Sequence, residues 1–139
     1  MNLIKHMVNI YTDGSCINGK GGWAYIIVVG EDKIISYSGR SSKPTTNNRM
    51  ELTACLKAID KMMELGYNRE KTTLFTDSQY VITTVCGDKK FFLTNQDLIS
   101  QVRDKKCFVD IEFKWVKAHN GNMFNEAVDF MARQKAQNL

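Results

Sequence analysis

Hydrophobic and polar positions alternate from the first well-patterned stretch of the chain. Val8, Ile10 and Thr12 interleave with Asn9, Tyr11 and Asp13, and this β-branched and aromatic run predicts a strand that Gly14-Ser15 breaks. Asp13 is thereby expected at the strand's last position. A glycine-bearing turn over 17–22 follows, then a dense apolar strand over 23–29, a hairpin turn over 30–33 and a return strand over 34–38. Three sequential antiparallel strands are thus expected first. Beyond a polar loop, Leu52, Cys55, Leu56, Ile59, Met62 and Met63 recur at helical spacing, and Gly66 closes the segment. Asn48 is the expected N-cap, with Glu51 in the capping-box position three residues later.

The second half switches pattern more often. Residues 72–76 read as a short strand ending at Asp77, and 78–86 as a short helix stopped by Gly87. Strand, long helix and strand suggest a right-handed parallel crossover, and in open α/β sheets ligands sit beyond the carboxyl ends of the strands. A basic and aromatic connector over 88–93 leads to a helix capped by Thr94 or Asn95 and carrying Leu98, Ile99 and Val102. Cys107, Val109, Ile111, Phe113 and Trp115 then alternate with mostly polar neighbours, as in a half-exposed strand. The last helix runs from about Phe124 with Ala127, Val128, Met131 and Ala132 as its stripe, and Asp129 lies near its start and off that stripe.

Composition narrows the class. The 139 residues fit one domain, 1–139, that can bury a real core. No apolar run approaches the roughly 20 residues of a membrane helix, and the N-terminus lacks the pattern of a signal peptide, so a soluble, cytoplasmic protein is expected. Cys16, Cys55, Cys86 and Cys107 form no metal-finger spacing and are expected reduced and mostly buried. A formal charge of +4 permits a polyanionic partner without demanding one.

Asp13, Glu51, Asp77 and Asp129 each fall at an element's end. Each has a local explanation: a turn residue for Asp13, a capping box for Glu51, a favourable helix dipole for Asp129. Together they have another. Clustered acids repel and shift their pKa values upward, and a cation among them relieves this. All-oxygen ligands select hard cations such as Mg²⁺ or Mn²⁺, and a pair of these about 4 Å apart activates a water and stabilises a leaving oxygen at a phosphodiester.

Five motifs carry a family resemblance. Tyr11-Thr-Asp-Gly-Ser-Cys16, Thr46-Asn-Asn-Arg-Met-Glu-Leu52, Thr76-Asp-Ser-Gln-Tyr-Val81, Trp115-Val-Lys-Ala-His119, and Asn125-Glu126 followed by Asp129 closely resemble type 1 ribonuclease H, in that family's order and across essentially the whole chain. The resemblance implies an α/β fold with a mixed five-stranded sheet, three antiparallel strands then parallel ones, flanked by helices. It implies hydrolysis of the RNA strand of RNA/DNA hybrids, leaving a 5′-phosphate and a 3′-hydroxyl. Asp13, Glu51, Asp77 and Asp129 match the metal-binding carboxylates, with Asp13 bridging two Mg²⁺ ions (or Mn²⁺ in their place). His119 matches a mobile histidine that assists proton transfer or product departure. Asn18, Asn47, Asn48 and Gln79 match contacts to the hybrid's minor groove, where 2′-hydroxyls mark RNA. Thr46 matches a residue near a DNA phosphate, and Asn125 and Glu126 a pair beside the active site whose simpler role is capping the last helix.

Two departures qualify the match. The basic, tryptophan-rich protrusion of longer members is cut to Lys89-Lys90-Phe91-Phe92, leaving Lys89 and Lys90 as candidate phosphate contacts, and the glycine turn before Trp23 is short. A monomer acting on a hybrid duplex, with no membrane association, is the expected form. The rivals are a catalytically idle hybrid-binding module and the ribonuclease domain of a larger reverse transcriptase.

Overall fold

The structure, a computed structural model, describes residues 7–137, so the reading of residues 1–6 as free of a leader lies outside it. In chain order the elements are β1 (Met7–Ile17), β2 (Lys20–Val29), β3 (Lys33–Arg40), α1 (Asn47–Glu64), β4 (Lys71–Thr76), α2 (Gln79–Cys86), α3 (Gln96–Val109), β5 (Ile111–Trp115) and α4 (Met123–Gln137). The strands form one sheet in the order β3-β2-β1-β4-β5. β1, β2 and β3 pair antiparallel, and β4 joins β1 and β5 in parallel. The mixed sheet and its flanking helices are therefore as expected.

Period-two burial sorts β1 between two layers. Val8 and Ile10 are fully buried in the larger core, with α1, α2 and α3 above them. Tyr11 points the other way, into a smaller cluster with Val128 and Ala132 of α4. Its ring stacks on Phe75 and leans on Phe124, both centroids 5.1 Å away. Among the described residues, no helix is long and apolar enough to cross a membrane.

Several boundaries differ from the pattern-based reading. Gly14-Ser15 does not end β1. The strand continues to Ile17, paired with β2, and turns through Asn18 and Gly19 alone, at φ 53° and 79°. Both positive angles belong to a tight two-residue hairpin, which Asn-Gly favours. β5 begins at Ile111, because α3 runs on through Val109 and stops at Asp110 in the left-handed region, φ 52°. Ile99, Val102 and Val109 lie on the buried side of that helix, so the alternation seen from Cys107 was the tail of a helical pattern. Of the four thiols only Cys55 is buried, and Cys86 and Cys107 are exposed.

Candidate active site

The sheet's own pairing builds the site. β1 and β4 run in parallel register as far as Tyr11 and Phe75, then diverge. Asp13 and Asp77 stand two residues beyond those last partners. Asp13 is thus mid-strand toward β2 yet at the open, carboxyl end toward β4, where such sheets carry ligands. Only 4% of it is exposed.

Glu51 arrives through a close approach of helix to strand. A Cβ on Gly14 would overlap the backbone of Met50 and Glu51, so glycine is what lets α1 rest on β1 there. Two hydrogen bonds lock the contact: the Cys16 amide donates to Asn47 Oδ1 at 2.6 Å, and Cys16 Sγ to the Thr45 carbonyl at 3.3 Å. The N-cap is Thr46, whose hydroxyl accepts from the Arg49 amide at 3.2 Å, and not Asn48. This two-residue difference matters. Glu51 lies beyond the first turn and has no capping duty, and its Oε1 is buried without a hydrogen-bond partner.

Asp77 is held from its backbone. The Trp115 indole N–H, at the end of β5, donates to the Asp77 carbonyl at 3.1 Å, and the Val116 amide to the Thr76 carbonyl at 2.8 Å. Ser78 caps α2 directly after it. Trp115, expected as a position of the half-exposed strand, thus also anchors the Asp77 backbone.

Donor oxygens of Asp13, Glu51 and Asp77 lie within 4.8 Å of one another. Burial, and then the charge of Asp77, push Asp13 up to about 8. Glu51 is raised well above the usual carboxylate range by burial and by Asp13 and Asp77. Asp77 is raised by burial and then by Asp129. Such a set, with an orphaned buried oxygen and, among the described residues, no ion pair to any of the three, fits a hard divalent ion coordinated by oxygen. Asp129 is not one of the close trio, but its side chain hydrogen-bonds Asp13. It sits in the second turn of α4 and pairs with Arg133 at 3.0 Å; the dipole position in the first turn belongs to Glu126.

The remaining expected residues divide into two groups. Asn18 is exposed at the β1–β2 hairpin tip, whose Gly19 carbonyl accepts from the Thr45 amide at 2.9 Å. That bond sets it beside exposed Thr46, Asn47 and Asn48. Gln79 is exposed at the start of α2, and His119 is exposed in the loop after β5 with φ 56°, close enough for its charge to act on Asp77. Asn125 does not join them at the surface: it is 3% exposed, its Oδ1 lacks a partner, and its amide is capped by Asn122 Oδ1 at 2.9 Å. Asn122, and not Asn125 or Glu126, therefore caps α4. Lys89 and Lys90 are exposed beyond the far end of α2, with Lys89 Nζ 5.3 Å from the centre of the Phe92 ring. Arg133 was missed as well, although its four-residue spacing from Asp129 is a readable helical pair.

A ribonuclease H family model matches residues 5–137. The chain is 37% identical over 143 aligned residues to ribonuclease H of Neorickettsia sennetsu, covering 91% of each protein. Its fold is similar to the N-terminal RNase H domain of a Mycobacterium tuberculosis protein, with TM-score 0.81 at 19% identity and 94% coverage of both chains. It is also similar to LC11-RNase H1, solved in complex with an RNA/DNA hybrid, with TM-score 0.76 at 18% identity, covering 91% of this chain and 94% of that one.

Proposed function

The chain belongs to the ribonuclease H family, and we propose that it cleaves the RNA strand of RNA/DNA hybrids to 5′-phosphate and 3′-hydroxyl ends with two divalent ions, Mg²⁺ or Mn²⁺. The observation that carries this reading is the trio of mutually repelling carboxylates at the β1–β4 divergence, Asp13 buried and Glu51 and Asp77 half-buried, with Glu51 Oε1 unpartnered. Asp13, Glu51 and Asp77 would hold the metal, with Asp129 completing the set. Bound ions would supply an activated water and charge stabilisation at the leaving oxygen.

The rest of the mechanism belongs to the protein. Asn18, Asn47, Asn48 and Gln79 carry donors and acceptors on the exposed rim and would read the minor groove, where the 2′-hydroxyl separates RNA from DNA. Thr46, at the N-terminus of α1, and Lys89 and Lys90 would take phosphates. His119, on its exposed loop beside Asp77, would accept or return a proton as product departs. Asn125, buried in α4 with its Oδ1 unpartnered, would not touch the duplex directly. A single copy of the chain contains every one of these groups, in keeping with a monomeric enzyme.

Labelled RNA/DNA, RNA/RNA and DNA/DNA duplexes, incubated with Mg²⁺, Mn²⁺ or EDTA, test the reading. Only the hybrid should be cut, only on its RNA strand, and only with metal. Asp77→Asn should slow cleavage by at least about 10³-fold with hybrid binding retained, because it removes charge that holds the transition state together. Near-wild-type cleavage by that variant would sink the assignment. His119→Ala should cost about 10²-fold or less, the span of acid–base assistance. Complete loss, or no change, would each reject its graded role.

A further inference from the structure

Asp129 is the member of the acidic set that meets Asp13 and also shares its carboxylate with an arginine. Donor atoms of Asp13, Glu51 and Asp77 lie within 4.8 Å of one another, and Asp129 is not among them. Arg133, one helical turn onward, takes its carboxylate instead, with Nε at 3.1 Å and Nη2 at 3.0 Å, both on Oδ2. Two donors on a single oxygen leave Oδ1 free of the guanidinium. The pair is also asymmetric in exposure: the Asp129 side chain is 21% exposed and that of Arg133 is 51%. Asp129 therefore faces inward, and its charge reaches both Asp13 and Asp77, while the arginine holds it from the solvent side.

We infer that Arg133 is a positioning residue that holds Asp129 through Oδ2, so that a divalent ion reaches this carboxylate only through Oδ1 or when the pair loosens. The inference rests on the metal-dependent reading above. Its physical content is a competition. The guanidinium and a bound cation draw on the same carboxylate, so Arg133 lowers cation affinity while relieving acid–acid repulsion in the metal-free protein. An ordinary helical ion pair of this spacing would add a little helix stability and touch nothing else.

Mn²⁺ titration without nucleic acid, followed by calorimetry or electron paramagnetic resonance, separates the two. Arg133→Gln should bind Mn²⁺ about threefold to tenfold more tightly, the effect of removing one nearby positive charge at a solvent-facing site. Arg133→Lys should stay near the unaltered protein. In an Asp129→Asn background the Arg133→Gln effect should vanish, since the arginine then has no carboxylate to tether. Thermal melts should show Arg133→Gln less stable in EDTA, with the gap narrowing as Mn²⁺ is added. Arg133→Met carries the same expectations should Arg133→Gln fold poorly. Unchanged or weaker Mn²⁺ binding, or equal tightening in the Asp129→Asn background, would overturn the tether. If the unaltered protein bound no Mn²⁺, the metal-dependent reading would fall with it. Normal binding with an unmoved constant in Arg133→Gln would overturn this inference alone.

Discussion

Arg49 and Glu51 are two residues apart on α1, and the helix turns them about 200° from each other. What each side meets is opposite in character. Arg49 reaches α3 and grips Asp97 with two parallel bonds, Nη1 to Oδ1 at 3.1 Å and Nη2 to Oδ2 at 2.8 Å, with Asn95 Oδ1 also on Nη1 at 3.2 Å. Asn95 Nδ2 passes the network on to the Tyr80 hydroxyl at 2.8 Å. Every charge there has a partner, and the arginine holds Asp97 below the usual carboxylate range. On the Glu51 side three acids meet with no ion pair to them among the described residues, and all three are raised. Both groups are acids at element ends, and position alone does not distinguish them. Partner chemistry does: satisfied acids hold the fold together, and unsatisfied ones are kept at its expense for a ligand.

Gly14→Ala is the most direct way to break the contrast, since its Cβ meets helix backbone, which cannot swing aside like a side chain. The variant should lose about 1–3 kcal/mol in denaturant unfolding, the usual toll of overpacking, and its cleavage should fall with the displacement of Glu51. Unchanged stability and activity would mean that α1 need not touch β1 for the acids to meet.

Asp13→Asn sharpens the contrast through its sign. In the metal-free protein it should gain about 1 kcal/mol or more near neutral pH, because the amide avoids the cost of burying or protonating a carboxylate beside two others. The pH dependence follows from the same shift. A carboxyl raised to about 8 in the folded state holds its proton where the unfolded chain, at about 4, has released it. The folded form then carries the extra proton, so stability falls as pH rises through that window. Melts in EDTA should accordingly drop between pH 5 and pH 8 for the unaltered protein and flatten for Asp13→Asn, while Mg²⁺ should stabilise the former much more. A lower melting temperature for the metal-free variant would show that the acids do not converge.

Asp97→Asn is the mild counterpart. Its folded value is lowered, so its stabilisation is present above the unfolded value near 4 and lost as pH falls through the folded one, the reverse window to Asp13. Both partners are substantially exposed, 36% and 60%, so solvent screening should hold the cost to about 1 kcal/mol or less, with hybrid cleavage retained. Loss of cleavage comparable to Asp77→Asn would place Asp97 in the site and dissolve the comparison.

Local chemistry determined a good deal of this protein before any contact was known. Alternation over Val8–Thr12 and the spacing from Leu52 to Met63 depend on neighbours a few residues away, so the sheet strands and α1 were legible, as were the motifs bearing Asp13, Glu51, Asp77 and Asp129. Tertiary structure decided what required two distant segments at once. Whether Asp13 ends a strand depends on β4 leaving β1 after Tyr11 while β2 stays to Ile17. Whether Glu51 caps a helix depends on Thr46 taking the cap as Asn47 binds the Cys16 amide. Which oxygen Asp129 has left to offer beside Asp13 depends on Arg133 holding its Oδ2. A carboxylate's role is set by which charges and donors lie within a few ångströms of it, and in a folded chain those come mostly from residues far away in sequence.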